Sequence, residues 1–160
     1  MTTISREVTI NKSIEDVWEV LGNQFGAISN WASVISESKV YGASKLKGLT
    51  YSQRETNTTQ GITVQEMTSF NPEQYSLSYK TVSGTPFFIK NMNAKWGLSK
   101  KNDGSTQLNM NIDIETKGIL GFILTPIVKV KLGKLGDELV DDLKYFMENG
   151  NPHPRKIAAK

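Results

Sequence analysis

The chain contains no cysteine. That removes disulfides, thiolate nucleophiles and cysteine-based zinc sites together. It contains a single histidine, His153, bracketed by Pro152 and Pro154 near the C-terminal end. A Ser-His-Asp triad would have to be built around that one residue, and without cysteine only carboxylates remain as metal ligands. The glycines are dispersed, with neither a phosphate loop nor a dinucleotide fingerprint. No cofactor and no metal are therefore expected. Neither sign of charge dominates: 19 Lys and Arg stand against 16 Asp and Glu, a net charge of +3. They are interleaved rather than gathered into the basic stripe of a nucleic-acid binder, so no nucleic-acid partner is expected. Lys129, Lys131 and Lys134 read as the solvated face of a helix. Long hydrophobic runs are missing too. The longest, Ile119 to Val128, falls far below the roughly 18 residues that span a bilayer, and Met1 to Val8 is too polar for a signal peptide. The expectation is a cytoplasmic protein without stable membrane insertion. The sequence leaves oligomeric state open.

What is there fits one domain: 160 residues, 38% of them hydrophobic and 22% charged. Thr3 to Ile10 has the β-branched character of a strand. Ser13 can cap a helix carrying Ile14, Val17, Trp18 and Leu21 at helical spacing, with Gly22 at its end. A second short helix is expected over Phe25 to Trp31. Strands then follow over Val34–Tyr41, Leu49–Thr56, Ile62–Phe70, Tyr75–Val82, Phe87–Lys100 and Thr106–Thr116, with Asn102-Asp103-Gly104 as a hairpin turn. Short loops between consecutive strands favour an antiparallel meander. In the last third Leu132, Leu135, Leu139, Leu143 and Phe146 recur at helical spacing. They predict a long helix from about Ile127 to Glu148, with Pro126 either its first residue, capped by Thr125, or a kink in a helix beginning near Ile119. Asn149-Gly150 ends it. Residues 1–150 form one domain on this reading, and 151–160 a mobile tail.

This order of elements resembles the START-like superfamily, also called SRPBCC, which includes polyketide cyclases and dehydrases. Ser13-Ile14-Glu15-Asp16-Val17-Trp18 resembles that family's first-helix entry, and Phe25 to Trp31 its second helix. Val64-Gln65-Glu66-Met67 leading to Tyr75 through Tyr79 is similar to its central hairpin, and Glu148 to Arg155 to the tail of a bacterial subgroup. The resemblance covers nearly the whole chain. It implies an α+β helix-grip fold, a curved antiparallel sheet of six to seven strands around a long C-terminal helix. It also implies one of three activities: binding or carrying a small hydrophobic ligand such as a lipid, polyketide or other aromatic; a cofactor-free cyclase or dehydratase; or a protein-interaction module of the co-chaperone activator type. Fold analogy does not choose among them.

Strand alternation assigns faces independently of the family. Leu108, Met110, Ile112 and Ile114 share one face, as do Met92, Ala94, Trp96 and Leu98, and Tyr75, Leu77 and Tyr79. In the strand from Ile62 to Phe70 the apolar residues Ile62, Val64 and Phe70 are in phase with Glu66, which predicts Glu66 on the concave side. Leu49 and Tyr51 point inward and carry Gln53 with them. The expected site is a cavity between sheet and long helix lined by Trp31, Tyr51, Val64, Tyr79, Trp96, Met110 and Leu139, with Glu66 as polar anchor or general acid–base group. The competing reading of Glu66 is a surface acid, solvated or paired with a lysine. Trp31 is either a cavity wall or a plug. Gly133 and Gly136 make room in the helix for close sheet approach or for a ligand, and Ser83 to Pro86 is a lid or a plain turn.

Overall fold

The computed structural model describes residues 1–159. It contains seven strands: β1 (Thr2–Ile10), β2 (Ile35–Tyr41), β3 (Gln53–Thr58), β4 (Gly61–Asn71), β5 (Ser76–Ser83), β6 (Ile89–Lys100) and β7 (Thr106–Thr116). They form one antiparallel sheet in the order β1-β7-β6-β5-β4-β3-β2. Strands β2 to β7 are a meander, and β1 closes the far edge beside β7. Between β1 and β2 lies α1 (Ile14–Trp18), then a π turn over Glu19–Asn23 and a 3₁₀ turn over Phe25–Asn30. The Ser13 hydroxyl caps α1 by accepting the Asp16 N–H at 3.2 Å. The Trp18 indole lies across Gly22, where a Cβ would sit 2.3 Å from the ring; no larger residue fits there.

Helix α2 (Gly118–Asn149) is 32 residues long and begins nine residues before the expected Ile127. Pro126 lies inside it. Thr125 caps nothing: its hydroxyl donates to the Gly121 carbonyl at 2.7 Å and contacts the Thr116 hydroxyl at 3.0 Å. Helix α2 lies along β1 and β7. Leu139 and Leu143 are buried, and Leu132, Leu135 and Phe146 pack partly buried against the core, which is the predicted stripe.

Close approach explains the two helix glycines. On β1 the inward residues are Ile4, Arg6, Val8 and Ile10, so Arg6 meets α2. Its guanidinium donates to the Asp137 carboxylate and to the Gly133 carbonyl at 3.1 Å. A Cβ on Gly133 would lie 3.0 Å from the Arg6 guanidinium, and one on Gly136 would lie 2.9 Å from Met110 Cε. Glycine costs each position about 1 kcal/mol of helix propensity and lets the sheet come this near.

The chain after Gly150 departs from the expected free tail. Residues Pro154–Ala158 form α3, with the His153 ring against Tyr145 at 4.8 Å. Arg155 donates to Asp142 at 2.8 Å and to Asp141 at 2.8 Å. Lys156 is buried and donates to the Ile35 carbonyl at 2.5 Å. Counting apolar residues misses this docking because, apart from the His153–Tyr145 ring contact, it is made by hydrogen bonds and ion pairs. Asp142 is the junction. It is fully buried on α2 and accepts from the Ser33 N–H at 2.7 Å and the Ser33 hydroxyl at 2.6 Å as well as from Arg155.

Removing a buried, fully bonded carboxylate leaves its donors uncompensated. Asp142→Ala is expected to lower unfolding free energy by about 3–5 kcal/mol, read from urea denaturation. Arg155→Ala costs less, since its side chain is 34% exposed. Equal midpoints for Asp142→Ala and the parent would show that the junction contributes nothing.

Candidate functional site

Two breaks in strand parity decide what faces the interior. In β4, Thr68 is an extra residue, a β-bulge between Met67 and Ser69. Gln65 and Met67 point inward before the bulge, and Phe70 points inward after it. The phase read from Ile62 through Phe70 is therefore broken, and Glu66 and Val64 lie on the outer face instead of the concave one. In the approach to β3, Tyr51 is buried but precedes the strand, and the buried strand residues are Arg54 and Thr56. Gln53 goes outward.

Glu66 is thereby corrected to a surface acid. Lys80, its cross-strand neighbour on β5, pairs with it at 2.8 Å, and the Glu66 side chain is 38% exposed. The hydrogen bond from Lys80 holds its carboxyl below the ordinary glutamate value, with Gln53 adding to the effect. A paired, solvated carboxylate is neither a buried anchor nor a poised proton donor.

Its place on the concave side is taken by a residue the alternation does not find. Arg54 is 1% exposed. Its Nε donates to Gln65 Oε1 at 2.9 Å, one terminal nitrogen donates to the same oxygen, and the other donates to the Phe25 carbonyl at 2.9 Å. The guanidinium lies 3.7 Å from the Phe25 ring centroid and 5.3 Å from that of Tyr79. All these partners are neutral. No Asp or Glu among the described residues forms an ion pair with Arg54. Burial pushes the guanidinium pKa below the ordinary arginine value, opposed by Tyr79 and Tyr51. Burial likewise pushes the Tyr51 hydroxyl up, against the pull of Arg54.

The inner surface is thus divided. Beneath the helices it is apolar: Ile4 and Ile10 on β1 and Leu108, Met110, Ile112 and Ile114 on β7 under α2, and Ala94, Trp96 and Leu98 on β6 towards α1. Towards β3 it turns polar. Arg54, Gln65 and Thr81 stand in register across β3, β4 and β5, and the Thr56 and Thr63 hydroxyls bond at 2.8 Å beside them. Three buried polar atoms on this side of the core, Tyr51 Oη, Thr81 Oγ1 and Trp96 Nε1, have no hydrogen-bond partner among the described residues.

Of the residues expected to line the site, Tyr79 and Tyr51 meet at Arg54. Trp96 and Met110 are cross-strand partners under α2, and Met110 touches Gly136. Leu139 is buried on α2, and Trp31 is buried just after the 3₁₀ turn. Where the cavity is expected, Trp31, Trp96, Met110 and Leu139 belong to the packed core. Two clefts open elsewhere. One, of about 220 Å³, lies between Ser33, Thr58 and Lys156, and one of about 80 Å³ lies between Glu37, Glu55 and Ile62. Arg54 escapes alternation because β3, Gln53 to Thr58, contains no apolar residue to set its phase. The available signal is indirect. The two-residue turn Thr59-Gln60 pairs Arg54 with Gln65, and Gln65 is in phase with Met67.

The fold is a helix-grip sheet with a split inner surface and a buried cation at its polar end. The family model for polyketide cyclase / dehydrase and lipid transport proteins matches residues 1–148, and the chain belongs to that family. Among solved structures it is similar to a START superfamily protein from Mycobacterium smegmatis, with 17% identity over 93% of this chain and 99% of that one, at a TM-score of 0.73. The protein XoxI from Bacillus cereus aligns over 96% and 100% at 16% identity with a TM-score of 0.73. A Nitrosospira multiformis protein aligns over 93% and 98% at 16% identity with a TM-score of 0.74. At these identities the likeness shows the shared START-like fold alone. No curated protein sequence matches the chain.

Arg54→Met strands the Gln65 oxygen in the interior and is expected to cost about 1–3 kcal/mol. Arg54→Met with Gln65→Leu removes both ends of the contact and should return stability to the parent value or above it. Urea denaturation of the single and double variants checks this; a double variant less stable than the single would make Arg54 a structural strut. Glu66→Gln should leave the melting temperature unchanged.

Proposed function

We propose that the protein binds a small hydrophobic molecule bearing one acidic or enolic oxygen, with that oxygen on Arg54. The observation that carries this is a buried guanidinium supplied only with neutral partners. A cation withdrawn from water costs several kcal/mol after relaxation. Hydrogen bonds from a charged donor return about 1.5–3 kcal/mol each, and an aromatic face returns up to about 2 kcal/mol. Neutral acceptors therefore compensate the charge without neutralising it, and an anionic oxygen is the ligand group that gains most from meeting it. Tyr79, half-buried beside Arg54, supplies ring surface and a hydroxyl at the solvent-facing side of the site. The ligand's body lies against the Phe25 and Tyr79 rings beside Arg54, and the packed side chains of the inner face move apart to admit it. Acid–base turnover through Glu66 has no place in this reading, because its carboxylate lies on the outer face.

The test uses 8-anilinonaphthalene-1-sulfonate as an anionic fluorescent probe, displaced by decanoate or by decanol. Decanoate should compete at least about tenfold better than decanol, a difference of about 1.4 kcal/mol, and Arg54→Met with Gln65→Leu should abolish that preference. Glu66→Gln should leave both affinities unaltered. Equal competition by acid and alcohol on the parent protein would remove Arg54 from the site.

A further inference from the structure

Helix α2 has two faces of apolar residues along its first half, and the sheet uses one of them. Leu124, Val128, Leu132 and Leu135 are partly buried on the sheet side. Ile119, Phe122, Ile123, Ile127 and Val130 recur at helical spacing on the opposite side, and all are exposed, Ile119 by 82%, Phe122 by 81% and Val130 by 74%. Between Gly118 and Leu132 the sole buried residue is Gly121. The β5–β6 loop adds Phe87, 73% exposed. That loop is tied to the helix start, since the Lys117 N–H donates to the Phe88 carbonyl at 2.8 Å and Phe87 stacks edge-on against Phe88.

Charge within the segment that carries this stripe is of one sign, Glu138 beyond it pairing with Lys134 at 4.0 Å. Residues 118–136 contain no Asp or Glu. Lys129 and Lys131 lie on either flank of the stripe at 100° per residue, Lys117 precedes it and Lys134 follows it; all four are exposed. The first acid of the helix, Asp137, is engaged by Arg6.

We infer that the first half of α2, with Phe87, docks on an anionic phospholipid bilayer surface, lying along the interface. An apolar stripe flanked by lysines is the chemistry of interfacial helices, where aliphatic and aromatic side chains enter the acyl boundary and lysines meet lipid phosphates. No helix among the described residues is long and apolar enough to cross a membrane, so the helix lies on the surface rather than spanning. A second copy of the chain is disfavoured as occupant, because pairing the stripe on itself brings the lysines of both copies together with no acid between residues 118 and 136 to offset them. The stripe is a convex helix face, and the clefts at Ser33–Lys156 and at Glu37–Ile62 lie elsewhere, which suits a fluid surface better than a pocketed protein partner. This docking does not rest on the ligand assigned to Arg54.

The experiment is co-sedimentation of the full chain with phosphatidylcholine vesicles and with vesicles containing about three-tenths phosphatidylserine. The protein should partition onto the anionic vesicles at least about tenfold more strongly than onto neutral ones, and should lose most of that preference in 0.5 M salt. Phe122→Ser with Ile123→Ser should reduce anionic-vesicle affinity about tenfold or more while the circular-dichroism melting temperature stays put, because both side chains are exposed. Lys129→Glu with Lys131→Glu should abolish the preference for anionic lipid. Absence of binding to either vesicle, or binding indifferent to the serine variant, overturns the proposal. So does a dimer in light scattering that the serine variant dissociates, which would make the stripe an interface between copies of this chain.

Discussion

A sheet with one apolar face has to be covered, and here a single helix covers the half that needs it most. The approach is close because Gly133 and Gly136 present no side chains to Arg6 and Met110. The lost helix propensity of two glycines is about 2 kcal/mol. Full burial of one Leu side chain is worth about 1.5–3 kcal/mol, and the approach helps bury Leu139, Leu143, Met110 and Ile112 together, so packing wins. Arg6 turns a potential conflict into a contact. It projects from the apolar face of β1, and its head group reaches Asp137 and the Gly133 carbonyl at the helix surface, while its stem adds to the cover.

The distal part of α2 is secured differently, by charge. Asp142 ties the helix to Ser33 at the entry to β2 and to Arg155 in α3, and Lys156 reaches the first residue of β2. Three segments distant in sequence thus meet at one buried carboxylate. Such a group stabilises through completeness: each donor around it is worth little alone, and losing the acceptor leaves several unpaired at once. The consequence is an asymmetric helix. Its second half is locked by packing and by this junction, and its first half rests on the sheet along one side only. Opening free energies differ along such an element, and the loosely held half is the one beside the β5–β6 loop.

The polar end of the inner surface follows from the same division. Helix α2 runs along β1 and β7, leaving the β2–β3 end of the sheet to the 3₁₀ turn that carries Phe25. A short turn cannot bring a long apolar stripe. It brings one ring and one carbonyl, and Arg54 uses both. The buried cation sits where the cover is aromatic and thin, and the apolar core sits where it is aliphatic and thick.

The sequence by itself determined the element order as far as α2, the seven strands to within a few residues, the core stripe of α2 and the family. Each is written in local periodicity, in cap and turn residues such as Ser13 and Asn102-Asp103-Gly104, or in apolar residues that must be buried somewhere. It also identified Trp31, Trp96, Met110 and Leu139 as interior residues, because large apolar side chains have few other places to go. The tertiary structure alone decided which polar residue turns inward. One bulged residue, Thr68, reverses the phase of β4, and β3 has no apolar residue from which a phase can be read. Alternation is a parity argument, and a single unpaired residue inverts every assignment on one side of it. That inversion exchanged Glu66 for Arg54 and moved Val64 to the outer face. Docking of the last residues was equally beyond the sequence, since Asp142, Ser33 and Arg155 become neighbours only once the helix has crossed the sheet.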